Sequence, residues 1–193
     1  MNPRVFIVHG WGAYPQDDWI PWLKSQLEDK GCEVYNPSMP DTEHPKIETW
    51  VQLLTKLVGE INETTYFVGH SIGCQTILRY LESLPSGKKV GGVVLVAPWV
   101  HLLPECVPTP EDKKIAHPWL TTPINWEKIK THTNQITTIF SDNDGCVPLT
   151  DADIFQTRLE TTPLIEHDKG HFSGSDNITE LPSALSAVLN MIH

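Results

Sequence analysis

The chain has 193 residues, enough for one domain with a sizeable core and little beyond it. Hydrophobic residues make up 39% and charged residues 20%, a globular balance that excludes a disordered chain. The formal charge of −10, with no basic stripe to offset it, argues against a nucleic-acid partner.

In chain order, Arg4–His9 (RVFIVH) is a short run rich in β-branched residues and predicts a strand. Trp19, Ile20, Trp22, Leu23 and Leu27 follow at helical spacing, with Asp17 or Asp18 as N-cap and Gly31 as the stop. Glu33–Asn36 predicts a weak strand. Ile47, Trp50, Val51, Leu54, Leu57, Val58 and Ile61 keep a 3.6-residue period, with Pro45 in the place of a first-turn proline. Thr65–Val68 predicts the next strand, and Ile72, Leu78, Leu81 and Leu84 carry a helix that Pro85 and Gly87 end. Gly92–Ala97 is the most continuous apolar run, as expected of a sheet centre covered on both faces. Ile136–Phe140 and Pro163–Glu166 predict two more strands, with a short helix between them around Ala152, Ile154, Phe155 and Leu159. Ile178, Leu181, Leu185, Val188, Leu189 and Ile192 predict a closing helix.

Six strands alternating with helices predict a doubly wound α/β domain over residues 1–193, a mostly parallel six-stranded sheet with helices on both faces. Pro98–Trp126 breaks the rhythm, with six prolines, Trp99 and Trp119, and no clear period. Residues 98–126 are expected to form an irregular rim, too short for a full lid domain. No stretch reaches the length of a membrane-spanning helix, and the apolar run Val5–Gly10 is too short for a signal peptide. Cys32, Cys74, Cys106 and Cys146 form no C-x-x-C pair and are expected to be reduced thiols in a cytoplasmic protein.

The sharpest chemical signal is Gly69-His70-Ser71-Ile72-Gly73, a G-x-S-x-G pattern between a predicted strand and a predicted helix. Such a turn holds the serine under strain at the carboxyl edge of the sheet, and its glycines leave room where a Cβ would clash. A serine hydroxyl is a weak nucleophile and needs a base, which in turn needs an orienting acid. The order Ser, acid, His is available here. Asp142 and Asp144 lie in the loop after ITTIF, and His167 and His171 in the loop after PLIE. Either aspartate alone could be a turn former, and the two histidines lack a third partner for a metal site. His9-Gly10-Trp11-Gly12 follows the first strand. It offers the backbone N–H of Trp11 beside that of Ile72 as an oxyanion hole.

HGWG near the start, DDWIPWLKSQL, GHSIG, D-x-x-V-P at Asp144–Pro148 and K-G-H-F at Lys169–Phe172 together resemble the small lidless α/β-hydrolases. The family is the one that includes retinoblastoma-binding protein nine and the YdeN-like hydrolases. The resemblance runs from Val5 to the last helix. It implies Ser71 as nucleophile, Asp144 as the acid and His171 as the base, in a sheet lacking the first two strands of larger hydrolases. The chain has no L-x-C-x-E motif, so a retinoblastoma partner is not implied.

The expected activity is hydrolysis of a small ester or thioester through an acyl-enzyme, with no cofactor, no metal and no membrane insertion. The competing expectation is a non-catalytic interaction module on the same fold. A nucleotide-binding domain has no support, since neither G-x-G-x-x-G nor a P-loop lysine motif is present. The sequence specifies no oligomeric state.

Overall fold

Five parallel pairings join six strands in the order β2-β1-β3-β4-β5-β6. The strands are β1 (Arg4–Val8), β2 (Glu33–Tyr35), β3 (Thr65–His70), β4 (Gly92–Val96), β5 (Ile136–Ser141) and β6 (Leu164–Glu166). They belong to a computed structural model that describes residues 2–193. Every expected strand is present, and the sheet is wholly rather than mostly parallel. The central strands β3 and β4 are buried at every residue, which is why their sequences run apolar without alternation.

The helices are α1 (Ile20–Asp29), α2 (Ile47–Val58), α3 (Ile72–Ser83), α4 (Pro110–Thr121), α5 (Trp126–Lys130), α6 (Asp151–Leu159) and α7 (Pro182–Ile192). On one face α1 packs against α7. On the other, α2, α3, α5 and α6 form a contiguous layer. Helix α3 lies between α2 and α5 and is buried continuously from Ile72 to Leu81. Its polar residues are spent inside the protein. Gln75 donates to the Trp99 carbonyl, and Arg79 donates to those of Trp119 and Thr122. The connection between β4 and β5 is thereby fastened to the helix that follows the Ser71 turn.

Four expectations are corrected. Residues 98–126 are not irregular throughout, because α4 occupies twelve of them. Thr109 and Asp112 form a reciprocal capping box and Pro110 sits in the first turn, so the proline content disguises a well-started helix. Trp119 of α4 is buried against Trp50 of α2, ring centres 6.2 Å apart, and donates to the Pro45 carbonyl. The segment is therefore folded down on the domain, and no lid is evident. Secondly, Pro45 precedes the N-cap Lys46 and lies outside the first turn of α2. Thirdly, neither Asp17 nor Asp18 caps α1, whose N-cap is Trp19. Asp17 accepts the Tyr14 amide and Asp18 the distant amide of Gly174, a tertiary partner that local spacing does not reveal. Fourthly, Cys106 and Cys146 are joined in a disulfide, with Cα atoms 4.7 Å apart; only Cys32 and Cys74 are free buried thiols. A separation of 40 residues hides that proximity in the sequence.

Among the described residues no helix is long and apolar enough to cross a membrane.

Candidate active site

Ser71 stands between the last residue of β3 and the first of α3 with φ 53° and ψ −119°, a conformation that L-residues avoid. Its neighbours make that turn possible. A Cβ on Gly69 would lie 2.7 Å from the Cys74 amide nitrogen, and one on Gly73 would run into the Val8 carbonyl oxygen. Strand and helix approach each other this closely only where side chains are absent. The Ser71 amide donates to the Val96 carbonyl of β4 at 2.9 Å, which fastens the elbow to the sheet.

The loops after β5 and β6 meet at the same edge. His171 Nε2 lies 2.9 Å from Ser71 Oγ, and His171 Nδ1 lies 2.9 and 3.0 Å from the two carboxylate oxygens of Asp144. Asp144 is almost wholly buried, and its Oδ1 also accepts the amides of Cys146 and Val147. The loops are tied to each other as well. Asn143 Oδ1 accepts the Gly170 amide, and Ser141 Oγ accepts that of Lys169. Asp142 takes no part in this group: it pairs with the exposed His167 at 2.6 Å and accepts the Asp168 amide.

A cavity of about 560 Å³ opens over Ser71. Trp11, Ile72, Trp99, Leu102 and the Cys106–Cys146 bridge give its lining apolar surface, and Asp17, Asp18, Ser173 and Ser175 give it polar groups. Trp11, from the loop after β1, and Ile72, the first residue of α3, both border the cavity. The Gly12 amide is spent on the Thr42 carbonyl and that of Ala13 on Gly10, whereas the Trp11 amide meets no acceptor among the described residues. That of Ile72 belongs to the open first turn of α3. His9 holds the loop from below. Its Nδ1–H donates to the Gly10 carbonyl, its Nε2 accepts the Met39 amide, and burial lowers its pKa.

The sequence pattern of the serine hydrolase family matches residues 5–190. The chain belongs to the serine hydrolase family. YdeN of Bacillus subtilis (strain 168), a hydrolase by name, is 30% identical over 182 residues, covering 94% of this chain and 92% of that one. The serine hydrolase RBBP9 of Rattus norvegicus is 25% identical over 170 residues, covering 87% and 85%. The crystal structure of the B. subtilis ydeN gene product superposes with a TM-score of 0.90 at 27% identity and covers 99% of both chains.

Sequence reasoning passed over several residues that build this serine hydrolase's site. His70 Nε2 lies 2.8 Å from the main-chain oxygen of His171. Burial first, and then the neighbouring His171, hold the His70 pKa down to about 3. Trp19 donates its indole N–H to the Phe172 carbonyl, and Asp176 accepts the His171 amide. Asp151, wholly buried, accepts the amides of Val100 and His101 and the His101 ring nitrogen, which fixes the chain where it leaves β4. The signal for His70 was its place inside the elbow pattern. Asp18, Trp19, Asp151 and Asp176 carry no local signal, since each partner is set by tertiary structure or by turn geometry. Asp144, Cys146 and His171 also present ligand-type atoms within 4.8 Å of one another. The Cys146 sulfur is committed to Cys106, and the other two are committed to each other.

Proposed function

We propose that the chain hydrolyses a small carboxylic ester or thioester through an acyl-enzyme, in a single domain. Ser71 is the nucleophile, His171 the general base and Asp144 the acid that orients it. What carries the reading is the 2.9 Å approach of His171 Nε2 to Ser71 Oγ, with Asp144 behind the ring. Asp144 selects the tautomer with its proton on Nδ1, which leaves the Nε2 lone pair for the Ser71 hydroxyl proton. As Oγ bonds to the substrate carbonyl carbon, that proton passes to Nε2 and the carbonyl oxygen becomes an oxyanion. The amides of Trp11 and Ile72 donate to it. Collapse expels the alcohol or thiol, which leaves with the proton from Nε2. Water then repeats the sequence on the acyl-serine and releases the carboxylic acid. Protein groups and water supply every step.

Cys106–Cys146 argues against the cytoplasmic location, since such bonds persist in oxidising compartments. Fractionation of the native organism decides between the expected cytoplasm and an oxidising compartment.

The test is treatment with a fluorophosphonate and mapping of the adduct by mass spectrometry. A single adduct on Ser71, lost in Ser71→Ala together with esterase activity, is the expected result, and activity should survive EDTA. No adduct on the folded protein would overturn the reading in favour of a non-catalytic module.

A further inference from the structure

The loop that carries His171 is held peptide by peptide. Asp176 Oδ2 accepts the His171 amide at 2.9 Å, and His70 Nε2 meets the His171 carbonyl at 2.8 Å. The Trp19 indole donates to the Phe172 carbonyl at 3.1 Å, and Asp18 Oδ1 accepts the Gly174 amide. Phe172 itself has φ 54°, which an unsupported loop would relax. Of the four supporting side chains, only His70 comes from the elbow, one residue before the nucleophile.

The His70 ring is buried, 3% exposed, and its tautomer follows from its partners. A carbonyl oxygen only accepts, so the proton must sit on Nε2. Nδ1 then carries the lone pair. It is buried with no hydrogen-bond partner among the described residues, and Asp18 Oδ2 stands 3.7 Å away. The ring centres of His70 and His171 are 5.3 Å apart. A second charged imidazole at that distance would oppose the imidazolium that forms on His171 during turnover. The titratable groups facing His70 are Asp18, from the segment before α1, His9, just after β1, and His171 with its partner Asp144, from the loops after β6 and β5.

We infer that His70 is a positioning residue for the hydrolytic reaction: as an Nε2–H donor to the His171 carbonyl, it locks the base's backbone to the nucleophile's own turn. The inference rests on the triad reading above. Its physical content is that a single rigid turn sets both partners of the 2.9 Å proton-transfer contact, and misplacement by about 1 Å costs on the order of 10²-fold in rate.

The experiment compares His70→Phe, which keeps an aromatic ring and removes the donor, with His70→Gln, whose amide N–H can reach the same carbonyl. His70→Phe should lower kcat by roughly 10–100-fold with KM nearly unchanged, and should slow fluorophosphonate labelling to match. His70→Gln should recover most of that loss. On the wild-type protein, nitrogen-15 NMR should show His70 with its proton on Nε2 and no titration between about pH 5 and 8, the range of an ordinary histidine. Wild-type rates in His70→Phe would overturn the inference. So would a Gln variant as impaired as the Phe variant, or a wild-type His70 that titrates or is protonated on Nδ1. The NMR result stands even if a variant fails to fold. Failure of the wild-type protein to label at Ser71 would instead sink the triad reading, so the two failures are distinguishable.

Discussion

Asp144 faces His171 Nδ1 with both carboxylate oxygens, while one of them also accepts the amides of Cys146 and Val147. Asp144 is thus held by its own loop as well as by His171. Asp142, two residues earlier, is engaged with His167 at the surface. Asp144→Asn should lower kcat by roughly 10²–10⁴-fold with the fold intact, because the amide no longer enforces the Nδ1–H tautomer. Asp142→Asn should stay close to wild type. The measurement is kcat for both variants on one activated ester at a single pH. A crippled Asp142 variant beside a normal Asp144 variant would reverse the assignment.

The Cys106–Cys146 bond closes a separation of 40 residues and joins the segment before α4 to the acid loop. A bridge of that span contributes about 2–4 kcal/mol, so reduction should lower Tm by roughly 5–15 °C in a chain of this size. The Leu103 amide still donates to the Cys146 carbonyl, which keeps the two segments in register without the sulfurs. Turnover at 25 °C should therefore change little on reduction. Melting curves and kcat with and without dithiothreitol check this, with the Cys106→Ser/Cys146→Ser double variant as the form that ignores the reagent.

Burial, with help from the neighbouring Asp17 and Asp176 carboxylates, raises the pKa of Asp18 above its ordinary value of 3.8. A carboxyl group with a raised native pKa favours folding most when it is protonated. That contribution is lost as pH rises through the raised value. Asp18→Asn removes the penalty and keeps an oxygen for the Gly174 amide. Its Tm should exceed that of wild type at pH 7, and the gain should shrink as the pH falls towards the ordinary carboxylate range. Thermal melts of both proteins across that range supply the test, and a gain independent of pH would contradict it.

A cavity of about 560 Å³ whose lining includes Trp99, Leu102 and the disulfide suits a short acyl group. A long chain needs an enclosed apolar tunnel, and α4 is packed on α2 instead of covering the site. Among p-nitrophenyl esters, kcat/KM should peak at short acyl chains, with no rise at a lipid interface. A preference for chains beyond about ten carbons would contradict this.

The sheet was legible because each strand is a short apolar run set between amphipathic helices, and β3 and β4 are so deeply buried that hydrophobicity alone marks them. The elbow was legible because its steric demand at Gly69 and Gly73 falls within five consecutive residues. The supports of the base loop were not legible. Asp18 and Trp19 read as the start of a helix, although their side chains serve a loop more than 150 residues away. Helix α4 was hidden by its prolines, and the Cys106–Cys146 bridge by distance along the chain. Local rules reach what is local. Hydrogen bonds and sulfur bonds across the fold leave no periodic trace.

Strand β6 has three residues, lies at the edge of the sheet and is only partly covered. His171 lies in the loop that follows it, whereas Ser71 follows the fully buried β3. The two halves of the site therefore rest on ground of unequal local stability, and edge elements open at lower free energy than the core. Heat inactivation should therefore precede melting, and activity followed beside the unfolding curve tests this.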